Sequence, residues 1–152
     1  MLEDVEEIKR LKAKYCYYVD GYYEDSSCLD LLLGEVFAED AFVDFGPFGS
    51  AKGREEIRNF YLNVVFGVLS FSMHMLLNPL IEINGEGRAT GKWYFFVPST
   101  MRENNLAGWL AGIYNDEYEK RNGRWFIKSQ RVKWFFGTPY DKGWSREDLI
   151  PK

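Results

Sequence analysis

The stretch Leu106–Phe136, LAGWLAGIYNDEYEKRNGRWFIKSQRVKWFF, decides how this chain folds. Its two aromatic and β-branched runs, Leu106 to Glu119 and Trp125 to Phe136, flank Asn122-Gly123. A two-residue hairpin needs positive φ at both central residues, and Asn-Gly supplies it cheaply, so the two runs read as one long hairpin. Upstream, Phe71 to Ile83 and Arg88 to Met101 have the same composition, with Asn84-Gly85 and Glu103-Asn-Asn105 as separators. Strands joined by tight turns from Phe71 to Phe136 make an antiparallel meander.

Before Phe71 the rhythm is helical. Val5, Ile8, Lys12, Tyr15 and Val19 recur at three- and four-residue steps, and Gly21 supplies a stop. Ser27-Cys-Leu-Asp30 resembles a capping box opening a second helix that ends near Ala38. Ala41 to Phe45 reads as a short strand turning at Gly46-Pro-Phe-Gly49, and Gly53 precedes a third helix with Ile57, Phe60, Tyr61, Val64, Val65 and Val68 on one stripe. Three helices followed by a long sheet give an α+β fold in one domain, the sheet burying one face against the helices. A strongly curved sheet closed by a helix leaves a pocket.

Composition narrows the function. The chain has 152 residues, 46% of them hydrophobic, with 12 Phe, 10 Tyr and 5 Trp to line an apolar cavity. A net charge of −4 is the wrong sign for nucleic acid. The uncharged run from Asn59 to Ile81 changes from helical to alternating rhythm, so it reads as a helix and a strand, not a membrane span. Cys16 and Cys28 read as packing residues in a reducing compartment, and the acidic start Met1-Leu-Glu-Asp-Val-Glu-Glu is unlike a targeting peptide, so a cytoplasmic location is expected.

His74 is the only histidine. A metal site is therefore not expected, no nucleotide-binding fingerprint or nucleophile elbow is present, and what remains is proton transfer. In a strand, His74 shares a face with Ser72, Leu76 and Asn78. Asp20 stands in the last turn of the first helix, where the helix dipole disfavours an anion unless a cation or donor lies nearby. Tyr15 is five residues earlier, roughly 140° round the helix, and can flank the same cavity. A histidine and an aspartate can equally be structural groups satisfied in a core.

Leu11-Lys-Ala-Lys-Tyr15 with Val19-Asp20-Gly21, Ser72-Met-His-Met75, Ala89-Thr-Gly-Lys-Trp-Tyr94 and Asp116-Glu-Tyr-Glu119 together resemble the SnoaL-like branch of the nuclear transport factor 2-like superfamily. Within it the motifs look most like those of bile-acid 7α-dehydratases and, more distantly, hexachlorocyclohexane dehydrochlorinases. The resemblance implies a single domain over residues 1–152, with a cone-shaped, cystatin-like α+β barrel around an apolar cavity. It further implies a cofactor-independent elimination in which Asp20 and His74 form the general base. Tyr15 matches the tyrosine of the dehydratases where the dehydrochlorinases carry a lysine, so oxygen is the implied leaving group. Val97 stands where the dehydratases have a further acidic residue, and their arginine has no single counterpart among Arg131 and Lys133. The same superfamily holds isomerases, cyclases and non-catalytic scaffolds such as the small subunit of ring-hydroxylating dioxygenases.

Carrying the family register over, the cavity wall for a small apolar ligand is expected to comprise Val65 and Leu69 from the third helix, then Trp93, Phe95 and Val97 from the second long strand. Leu110 and Tyr114 should come from the third strand and Trp134 from the fourth. The opposite, aromatic face of the sheet predicts a homo-oligomer, a trimer or dimer. The tail from Thr138 to Lys152 lacks periodicity yet carries Tyr140 and Trp144, and is expected to form a lid or a subunit contact.

Overall fold

The computed structural model describes residues 1–152. Helix α1 (Leu2–Gly21) buries Ile8, Leu11, Lys12, Tyr15 and Val19, the stripe expected from the spacing. It does not end on a left-handed glycine, because Tyr22 continues in right-handed helical geometry. Gly21 is small for a packing reason: a Cβ there would stand 3.2 Å from the Cys28 Sγ of the next helix. The second helix is α2 (Cys28–Leu31) continued by a π-helical turn (Leu32–Val36). Its expected capping box is not formed: Ser27 is itself helical in φ and ψ, and its hydroxyl donates to Asp25 Oδ1.

The third helical segment is α3 (Gly53–Phe60), a π-helical turn (Tyr61–Val65) and a short α4 (Phe66–Val68). The wider turn rotates the residues beyond it, so Val68 at the end of the apolar stripe is 42% exposed while Tyr61 is fully buried. No helix is long and apolar enough to cross a membrane.

The sheet comprises β1 (Phe37–Asp44), β2 (Ser50–Lys52), β3 (Leu69–Ser72), β4 (Met75–Gly85), β5 (Arg88–Met101), β6 (Ala107–Arg121) and β7 (Arg124–Pro139). The order is β2-β1-β7-β6-β5-β3, with β4 also on β5. All pairings are antiparallel except β1 with β7, which is parallel, the long intervening chain from β2 to β6 providing the crossover. Asn122 (φ 50°) and Gly123 (φ 77°) turn the β6–β7 hairpin as the sequence requires. The β4–β5 tip lies two residues later than expected, at Glu86-Gly87, because Asn84 and Gly85 still belong to β4 and Gly87 takes the positive φ of 71°.

The expected strand over Phe71 to Ile83 is interrupted at Met73 and His74. Ser72 pairs with Ser99 and Met75 with Phe96, so the register continues across the gap. The cause is Pro98: it accepts from the Met73 amide at 3.0 Å but has no N–H to return. Further bulges at Leu77/Leu80 in the β4–β5 pairing and at Ala111/Gly112 and Glu117/Tyr118 in the β6–β7 pairing curl the sheet over α1. On β5, Trp93, Phe95 and Val97 face the interior, whereas Tyr94 packs on Phe135 and Phe96 stacks on Trp109 outside.

Beyond β7 the tail turns back. The Leu149 amide donates to the Gly137 carbonyl, and Asp148 Oδ1 accepts from the amides of Gly137 and Ile150, each at 3.1 Å. Any side chain at Gly137 would meet Ile150 Cδ1 at 2.9 Å. Trp144 stacks on Phe136 with ring centroids 4.7 Å apart.

Candidate active site

His74 lies just past Ser72, the last residue of β3, on the free edge of the sheet. Met73 is hydrogen-bonded to β5, so the next amide, that of His74, points away from the sheet. It donates to Asp20 Oδ2 at 2.7 Å. The imidazole lies on the interior face and its Nδ1 is 2.6 Å from Asp20 Oδ1. Ser72, also on that face, donates its hydroxyl to the same oxygen at 2.8 Å. Asp20 thus receives an amide, a hydroxyl and an imidazole at a helix end that carries no basic residue in its last turn. These donors offset the unfavourable helix dipole. In a neutral imidazole, a carboxylate against Nδ1 favours the tautomer that carries its proton there and leaves a lone pair on Nε2.

His74 also lines an apolar cavity of about 150 Å³, in which it stands among Phe45, Val64, Met101 and their neighbours. Of the expected wall, Val65, Leu69, Phe95, Val97, Leu110, Tyr114 and Trp134 line this space. Trp93 faces inward but lies deeper in the cone, where its Nε1 donates to the Tyr118 hydroxyl at 2.9 Å. Phe48, the half-exposed Val68 and the tail residues Leu149 and Ile150 complete the lining, and only the tail's foldback could reveal the last two. Arg131 and Lys133 are outside it: Arg131 is exposed, with its guanidinium 4.9 Å from the Phe42 ring, and Lys133 is exposed on β7. No group of three or more His, Cys, Asp or Glu side chains is placed to hold a metal ion.

Tyr15 is behind the wall. Its ring meets His74 edge-on at 5.9 Å and Tyr114 at 5.8 Å, while its hydroxyl is 2.9 Å from that of Tyr61 and accepts from Gln130 Nε2 at 3.1 Å. Burial pushes its phenol up to about 12, and pushes the phenols of Tyr61 and Tyr114 well above their usual range.

The sequence reading missed the polar network beneath these phenols. Lys12, fully buried, is 2.7 Å from Asp116 Oδ2, donates to Gln130 Oε1 at 3.1 Å, and lies over the rings of Tyr114 at 4.3 Å and Tyr15 at 4.7 Å. Tyr118 donates to the same Asp116 oxygen at 2.7 Å. Burial raises the Asp116 carboxyl and the Lys12 ammonium pulls it back. The available signal was Lys12 itself, a cation on the apolar stripe of α1 that demanded a buried partner.

The model of the SnoaL-like domain matches residues 1–131. Gamma-hexachlorocyclohexane dehydrochlorinase of Sphingobium indicum is 23% identical over 107 residues, 70% of this chain and 69% of that protein. A crystal structure of a type 2 hexachlorocyclohexane dehydrochlorinase superposes with a TM-score of 0.81 at 22% identity, covering 91% of this chain and 89% of that one. One from Novosphingobium aromaticivorans, provisionally assigned as a scytalone dehydratase, gives 0.79 at 20% identity, covering 99% and 96%. The curled α+β cone is thus shared with these structures, and the chain belongs to the SnoaL-like family.

Proposed function

We propose that this protein is a lyase that removes water, or another small leaving group, from an apolar substrate without a cofactor, using Asp20 and His74 as its general base. The observation that carries the reading is the hydrogen-bonded Asp20–His74 pair, whose histidine lines an apolar cavity. Nε2 takes a proton from the carbon next to the one bearing the leaving group. The C–H electron pair becomes the new C=C bond, the C–O bond breaks, and the imidazolium returns the proton so that water departs. Asp20 keeps the imidazole in the productive tautomer and stabilises the transient imidazolium. Tyr114, which lines the cavity, supplies its phenol to the departing oxygen, and Tyr15 packs edge-on behind Tyr114 and His74. The names of the relatives, a dehydrochlorinase and a scytalone dehydratase, support elimination as the reaction class.

An apolar space of about 150 Å³ suits a single ring better than a polycyclic skeleton. Three donors assembled on a carboxylate beside a cavity-lining histidine favour this reading over a non-catalytic scaffold. We further propose that the outer aromatic face is covered in a homo-oligomer and that the tail serves as a lid.

The test is incubation of the purified protein with hexachlorocyclohexane, scytalone and a panel of cyclic β-hydroxy ketones, with products detected by mass spectrometry. Loss of hydrogen chloride or water that disappears in His74→Ala supports the reading. Equal turnover by the wild type and His74→Ala overturns it.

A further inference from the structure

We propose that Ser72 is a positioning residue, which fixes the Asp20 carboxylate and sets how strongly His74 holds its proton. Ser72 is 2% exposed at the end of β3, and its hydroxyl shares Oδ1 of Asp20 with the imidazole Nδ1, at 2.8 and 2.6 Å. The His74 amide holds Oδ2 at 2.7 Å. A carboxylate gripped at both oxygens cannot turn about its Cβ–Cγ bond, so Nδ1 always meets the same lone pair. The hydroxyl also draws charge from the oxygen that faces the imidazolium. A carboxylate relieved of a donor binds a neighbouring cation more strongly, so loss of this hydroxyl must make His74 more basic.

The placement arises from the strand. Ser72 and His74 are two residues apart in a continuous register, hence on one face, and Asp20 meets both where α1 ends against the sheet edge. The titratable groups around the pair are Tyr15 and Cys16 on α1 itself, Tyr23 just beyond it, whose phenol also faces Ser72, and Tyr114 on β6. Burial pushes the Cys16 thiol up to about 12, and the three phenols are also raised, so all four stay neutral around neutral pH. Arg102 lies beyond Tyr23, and the Lys12–Asp116 pair beyond Cys16. Because the Tyr23 phenol that also faces Ser72 is neutral at that pH, a change in His74 titration on altering Ser72 reports chiefly on the charged Asp20 contact.

The effect on turnover rests on the general-base reading, whereas the positioning does not. Because the chain has one histidine, its imidazole carbon and nitrogen resonances can be tracked against pH in the full-length protein without assignment by mutation. In Ser72→Ala the midpoint should move upward by about half a unit or more, and Ser72→Thr, which keeps the hydroxyl, should titrate as the wild type. Ser72→Cys, whose thiol is a weaker donor, should lie between, and serves if the alanine variant does not fold. An unmoved midpoint in whichever of these two variants folds overturns the proposal, as does a threonine variant that titrates like alanine. A shifted midpoint in a protein that eliminates nothing from the substrate panel keeps Ser72 as a positioning residue and removes the general-base reading alone.

Discussion

Lys12 and Asp116 meet inside the core, with Nζ 2.7 Å from Oδ2 and both side chains closed to solvent. The pair joins α1 to β6 under the phenols that flank His74. A buried ion pair contributes little net stability against an apolar replacement, but removing one partner strands a charge. Asp116 is the sharper case, since its Oδ1 already has no hydrogen-bond partner. Lys12→Met should therefore cost about 3–5 kcal/mol in urea unfolding, and adding Asp116→Asn should recover most of it. Equal losses in the single and double variants would mean that the ion pair is not what α1 requires of Lys12.

Alkaline pH should unfold the protein early. Burial pushes the Cys16 thiol and the Tyr15 phenol each up to about 12, from ordinary values of 9.0 and 10.0. In the unfolded chain these groups ionise at their ordinary values, while in the folded protein they resist. Their stabilising contribution is complete below about 9 and is lost as pH rises from there to about 12. Urea midpoints should fall between about pH 8 and pH 11, and Cys16→Ser should flatten the first part of that fall. A flat midpoint across this range would contradict the burial of both groups.

The tail contributes Leu149 and Ile150 to the cavity wall. Truncation after Tyr140 should lower stability by about 1–3 kcal/mol from lost apolar burial and speed the entry of a small apolar dye. Unchanged dye kinetics in a stable truncated protein would show that the tail is not a lid.

Outside the cone, Tyr94, Phe135, Tyr140 and Trp144 are 44%, 48%, 68% and 62% exposed. Covering this face in a homo-oligomer predicts a single species larger than a monomer in sedimentation at micromolar concentration, dissociated by Tyr94→Lys with Phe135→Lys. A monomeric wild type would count against the assembly.

The sheet was legible because its signals are local. The Asn122-Gly123 turn and the alternation along Arg88 to Met101 each depend on neighbouring residues and were read correctly. The break at His74 was not, since it arises from a missing N–H on Pro98, a residue that meets Met73 only across the sheet. The π-helical turns also escaped, because an apolar stripe looks the same until one extra residue rotates it. Asp20 was suspected from a helix-end anion without a local partner, and its partners lie more than fifty residues away at Ser72 and His74. Trp93 shows the limit of face periodicity, which tells inward from outward but not cavity from closed end.

The most direct test of the account is to measure elimination and melting temperature together on Asp20→Asn and His74→Ala, using the wild type's best substrate from the panel. General acid–base catalysis predicts a loss of about 10²–10⁴-fold or more in kcat for each variant, with the fold retained in both. Variants that lose about 1–3 kcal/mol of stability, the cost of an unpaired buried polar group, yet eliminate at the wild-type rate would show that the pair is structural and contradict the account.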